Sequence, residues 1–112
     1  MRKFTQAYKL WQEFVPHIPK SSRYTLGEKI DVLFIESIEM IYSAIYTKPI
    51  ERLHFVITSA TKLDALKFFL QILWETKQID TKKYIALSKI LDEIGRMIGG
   101  WIKQLGQRES SV

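Results

Sequence analysis

Lys82, Lys89, Arg96 and Lys103 recur every seven residues, a spacing that stacks them along one side of an α-helix. At 1.5 Å of rise per residue they form a cationic row about 30 Å long. The chemistry open to such a row is electrostatic: several ammonium and guanidinium groups at fixed spacing match the phosphates of a duplex or a structured RNA. A solvated outer face explains lysine and arginine equally simply, since both favour helices. The regularity argues for more, because no carboxylate interrupts the row; Asp92 and Glu93 fall elsewhere on the helical wheel. Lys20 and Arg23, in the turn after the first helix, add two further cations to the candidate nucleic-acid-binding set.

Other pairings with chemical potential are weaker. Glu51-Arg52-Leu53-His54 has the Glu-x-x-His spacing of di-iron bundles, but such a centre needs a second pair and two more inward carboxylates. The other histidine, His17, lies in a turn, and Glu51 suits the first turn of its helix on dipole grounds alone. Glu36 and Glu39 sit one turn apart, and a solvated or intersubunit face accounts for them. No phosphate-binding glycine loop, dinucleotide fingerprint, or serine or cysteine nucleophile with a positioned base is found. The expectation is a protein without catalytic residues, cofactor, metal or small-molecule substrate. Thr58, Ser59, Thr61, Lys62, Asp64 and Lys67 make a polar patch on the third helix, either its outward face or a contact surface for a protein.

The cationic row needs a rod to hold it. Tyr84, Leu87, Leu91, Ile94, Ile98, Trp101 and Leu105 alternate at spacings of three and four, an a/d seam opposite the cations. Asp80 or Thr81 caps this fourth helix, which is expected to run to Leu105 with Gly106 as its stop. Three interior glycines, Gly95, Gly99 and Gly100, cost about 3 kcal/mol relative to alanine. The helix either ends at Gly99-Gly100 or continues; continuity is preferred because Trp101 and Leu105 remain on the seam. Gly95, Gly99, Gly100 and Trp101 then mark a place where a backbone from a second copy comes close.

Phe4, Tyr8, Trp11, Val15 and Ile18 predict a first amphipathic helix, interrupted by Pro16 and Pro19. A second begins within Pro19–Ser22 and ends at Lys48-Pro49; a third starts at Pro49 and carries an apolar band wide enough for two neighbours. The second helix is acidic, with Glu28, Asp31, Glu36 and Glu39 against Lys29 and Lys48. Short connections make successive helices antiparallel, and strand signals are missing. The predicted fold is all-α: an up-and-down four-helix bundle over residues 1–106, with 107–112 as a polar tail.

The chain has 112 residues, enough for a single core, and is 46% hydrophobic and 26% charged. With no cysteine it has no disulfide or thiolate site. The first residues lack the apolar core of a signal peptide. Val32 to Tyr46, the most apolar stretch, is broken by Glu36 and Glu39 and is shorter than the roughly 20 residues that cross a bilayer. A soluble cytoplasmic protein without membrane contact is expected. The net charge of +5 favours a polyanionic partner.

Ile18-Pro19-Lys20-Ser21-Ser22-Arg23-Tyr24-Thr25-Leu26-Gly27-Glu28-Lys29-Ile30 resembles the Phe-Pro-Lys/Arg-Ser-x-Arg-Phe/Tyr-x-Leu-Gly-x-Arg/Lys-Ile motif of accessory variability determinant (Avd) proteins of diversity-generating retroelements, with Ile18 in place of Phe. The similarity continues through Asp64 to Leu70, Trp74-Glu75, Ile79-Asp80, Tyr84, Leu87 and Glu93 to Trp101. The related proteins encoded in intervening sequences of bacterial ribosomal RNA genes carry Ser-Ile-Pro-Ala-Asn-Ile-Ala-Glu-Gly in the second helix. This chain has Phe34-Ile35-Glu36-Ser37-Ile38-Glu39-Met40 there instead, which places it nearer the Avd branch. The resemblance implies a homopentameric barrel of four-helix protomers, binding to a reverse transcriptase and to template RNA or an RNA/DNA hybrid, support of mutagenic reverse transcription, and no catalytic residues. The resemblance assigns no RNA-contacting position; those named above come from charge placement.

Overall fold

The computed structural model describes residues 2–110, and side chains through Arg108. Helix α1 spans Arg2–Phe14 and unwinds through a 3₁₀ turn at Val15–His17, where Pro16 cannot continue the hydrogen-bond ladder. The second rod, α2, is assembled from an α-turn at Lys20–Ser22, a π-helical turn at Arg23–Gly27 and an α-helix at Glu28–Tyr46. Helix α3 runs Pro49–Glu75 with Pro49 in its first turn, and α4 runs Thr81–Ser110. Strands are absent among the described residues. So is any helix long and apolar enough to cross a membrane.

The helices form an elongated bundle of 51 × 21 × 20 Å. Helix α2 packs along α3, α3 along α4, and α4 along α1. Tyr8 and Trp11 close the ring by meeting Phe34 of α2, at ring separations of 5.5 and 6.4 Å. Helices α2 and α4 therefore sit on a diagonal, and their outward faces point in opposite directions. The core is one cluster in which each helix contributes its own stripe: Phe4, Ala7 and Trp11; Ile30, Leu33 and Phe34; Leu63, Leu66 and Leu70; Leu87, Leu91, Ile94 and Ile98.

The predicted seam of α4 is the one the core uses. Leu87, Leu91, Ile94, Ile98 and Leu105 are buried, and Tyr84 and Trp101 pack half-buried against the cluster. The rod does not break at Gly99-Gly100. It also does not stop at Gly106. No glycine among the described residues has the left-handed conformation that would end a helix there, and buried Leu105 anchors the last turns, so the helix reaches Ser110. The end of the expected tail, 111–112, lies outside the described residues.

The polar patch predicted on the third helix is not a single surface. Ser59 is fully buried, where its hydroxyl meets Ser37 at 2.9 Å and donates to the Ser37 carbonyl. Lys62 pairs with Glu36 and Lys67 with Asp92, so both lysines serve interhelical contacts. Sequence spacing alone misplaced Ser59 because the α2–α3 approach is close enough for two small hydroxyl side chains to replace apolar packing.

Candidate nucleic-acid interface

The motif Ile18–Ile30 folds into a lock at the head of the bundle. Arg23 is half-buried, and its Nη2 donates to the carbonyls of Pro16 (3.2 Å) and Ile18 (2.9 Å), holding the turn between α1 and α2. Ser22 Oγ donates to Gln78 Oε1 at 2.8 Å, tying the start of α2 to the α3–α4 turn. Gly27 is buried in the π-helical turn, where a Cβ would stand 3.4 Å from the Ser22 carbonyl oxygen. Arg23 is thus a brace for this corner first, and its guanidinium is partly committed to backbone. Lys20 stays fully at the surface.

On α4, Lys82, Lys89, Arg96 and Lys103 are all exposed, opposite the buried seam. None of the ion pairs among the described residues involves any of the four. Two α4 carboxylates that neighbour the row in sequence, Asp92 and Glu93, pair with lysines of neighbouring helices. Lys67 of α3 holds Asp92 at 2.8 Å, and Lys3 of α1 hydrogen-bonds Glu93. The Lys3 ammonium holds the Glu93 carboxyl below its ordinary range, and Lys89 and Arg96 pull in the same direction. The row is flanked by acids whose direct ion pairs are with lysines outside it, so none of its four cations is locked into a salt bridge, although Glu93 still acts on Lys89 and Arg96 and Asp80 on Lys82 through space. Arg2 and Lys9, exposed one heptad apart on α1, border a shallow groove that charge spacing on α4 alone did not disclose.

The glycines divide. A Cβ on Gly95 would sit 3.8 Å from Leu63 Cδ2, so its near neighbour is α3 of the same chain. Gly99 and Gly100 are exposed, with nothing within 4 Å of where a Cβ would stand. Trp101 packs half-buried against the core.

Diagonally opposite, the outward face of α2 is apolar. Val32, Ile35, Tyr42 and Tyr46 are exposed at spacings of three, seven and four, with Glu39 among them. Tyr42 and Tyr46 lie ring to ring at 4.8 Å. This second seam escapes a search for one amphipathic stripe, because α2 carries apolar residues on both sides.

No group of three histidine or carboxylate side chains among the described residues could hold a metal. Glu51 accepts a hydrogen bond from the Thr47 hydroxyl (3.0 Å), and His54 is exposed with its ring 5.6 Å from that of Phe55.

A model of the family described as bAvd-like matches residues 1–105. The chain belongs to the bAvd-like family. No curated protein and no solved structure matches it. The bAvd-like match takes in the whole Ile18–Ile30 lock, the α4 seam and all four cations of the row.

Proposed function

We propose that this bAvd-like chain is a non-enzymatic accessory protein of a diversity-generating retroelement. It binds template RNA, or an RNA/DNA hybrid, and the reverse transcriptase, and so supports mutagenic reverse transcription in the cytoplasm. The observation that carries the nucleic-acid part is the exposed row Lys82, Lys89, Arg96 and Lys103, none of it held in an ion pair, with the flanking carboxylates Asp92 and Glu93 tied to Lys67 and Lys3. Such a row meets phosphates by charge pairing and reads no sequence. Lys20 extends it at the head of the bundle, and Arg23 does so with whatever part of its guanidinium the turn leaves free.

Self-association, as a homopentamer, completes the proposal. Gly99 and Gly100 offer a bare strip of backbone beside Trp101, and α2 offers the exposed stripe of Val32, Ile35, Tyr42 and Tyr46. Apolar side chains aligned along a helix face mark a surface for another protein. That stripe also favours a second reading, a protein-interaction bundle of the ribosomal RNA intervening-sequence type with no retroelement role.

Retention of a structured RNA on filters separates the two. Replacing Lys82, Lys89, Arg96 and Lys103 together by glutamine abolishes retention at low salt if the first reading holds, with helical content unchanged. Equal retention by variant and parent removes the row from the mechanism.

A further inference from the structure

A cavity of about 770 Å³ opens at the head of the bundle, where the α1–α2 turn meets the α3–α4 turn. Its volume is in the range of small-molecule sites. Phe14, Ile18 and Trp74 form its apolar wall, and His17, Lys77 and Gln78 its polar one. Trp74 is held on two sides. Its ring stacks on Tyr84 at 4.7 Å and an interplanar angle of 5°, and its Nε1 donates to Thr81 Oγ1 at 3.0 Å. Tyr84 covers one face of the indole and does not line the cavity, whereas Trp74 does. Lys77 has φ 62°, a left-handed turn position that an L residue adopts only when its surroundings require it. Gln78 is fixed there by its bond from Ser22.

Two carboxylates also line the cavity. Asp80 accepts the Lys83 backbone N–H at 2.8 Å as the cap of α4 and pairs with the Lys83 ammonium at 3.4 Å. Glu75 accepts from Gln71. With Asp80 answered by Lys83, the remaining cation of the lining is Lys77, and His17 adds an imidazole. Thr81 and Lys83 line the cavity, and Lys82, the first cation of the α4 row, lies between them in sequence without lining it.

We infer that this cavity receives an unpaired nucleobase, stacked on the Trp74 indole, at the end of a strand whose phosphates follow the α4 row. The inference rests on the nucleic-acid reading of that row and adds a ligand class to it: single-stranded ends or overhangs rather than blunt duplex. Aromatic side chains accept any base by stacking, and cations at the rim hold the adjoining phosphate.

The test compares a blunt 12-base-pair RNA duplex with the same duplex carrying a three-nucleotide overhang. The parent protein should bind the overhang about tenfold more tightly, and Trp74→Leu should remove that preference while keeping blunt-duplex affinity. Because Trp74 also packs on Tyr84, a double variant His17→Ala, Lys77→Ala, altering only exposed side chains, provides a second reading and should reduce the preference severalfold. Independently of the row, adenosine monophosphate should move the Trp74 indole N–H resonance and leave that of Trp11, buried in the core, unmoved. Equal affinity for the two duplexes, a preference that survives Trp74→Leu, or an indole resonance that ignores the mononucleotide overturns the inference. If neither duplex binds, the row has failed, and the mononucleotide titration still decides the cavity.

Discussion

Ser37 of α2 and Ser59 of α3 exchange hydrogen bonds in both directions: each hydroxyl donates to the other residue's backbone carbonyl at 2.9 Å, deep in the core. Two small side chains let α2 and α3 approach closely and satisfy each other's polar atoms there. Ser37→Ala or Ser59→Ala should each cost about 1 kcal/mol in urea unfolding, and the double variant less than the sum, because the groups form one unit. Ser37→Val should cost about 1–3 kcal/mol by overpacking the crossing.

Gly99 gives a test that separates the protomer from its assembly. With open space around its Cβ position, Gly99→Ala should stabilise the isolated helix by about 1 kcal/mol. If another copy lies against that strip, light scattering should show the same variant shifted toward smaller species. A stabilised protein with an unchanged mass in solution would take Gly99 out of the contact.

The carboxylates beside the row should act as its brakes. Glu93→Gln removes a negative charge close to Lys89 and Arg96, so RNA affinity should rise about two- to fivefold at low salt. Lys3→Gln should lower affinity by a similar factor even if Lys3 touches no RNA, because Glu93 is then left to answer the row. Fluorescence anisotropy with a labelled RNA hairpin measures both, and effects of equal sign in the two variants would contradict the arrangement.

The lowered pKa values of Glu93 and Asp80 have a definite sign. Lys3 depresses the first by hydrogen bonding, and the Lys83 backbone N–H depresses the second. A carboxyl held below its unfolded value contributes stability that is present above the ordinary carboxylate range and is lost as pH falls through the folded value. Thermal unfolding should therefore show a plateau from neutral pH down to about 5 and a decline below 4. In Lys3→Gln the part due to Glu93 should be missing, giving a shallower decline.

The rotational phase of α4 was legible because Leu87, Leu91, Ile94 and Ile98 repeat at spacings that fix one buried side, and the cations follow automatically on the other. Proline positions likewise placed the helix ends near Phe14, Lys48 and Pro49. What was not legible depends on contacts far apart in sequence. Lys3 reaches Glu93 across the α1–α4 interface, and Ser59 finds Ser37 across the α2–α3 crossing. Nothing local marks either. The π-helical turn at Arg23–Gly27 also leaves no periodic trace, since it inserts one residue's worth of slack that the Arg23 bonds to Pro16 and Ile18 then hold. The head cavity is assembled from two turns some 60 residues apart, so only their pairing in space reveals it.

The central claim is that Lys82, Lys89, Arg96 and Lys103 engage phosphates, and the salt dependence of RNA affinity tests it most directly. With four to six phosphates neutralised, a plot of log affinity against log salt should have a slope of roughly −3 to −5 for the parent protein. With all four residues changed to glutamine the slope should flatten to about −1, at unchanged helical content. A parent slope near zero, or a steep slope that the fourfold variant retains, would contradict the claim.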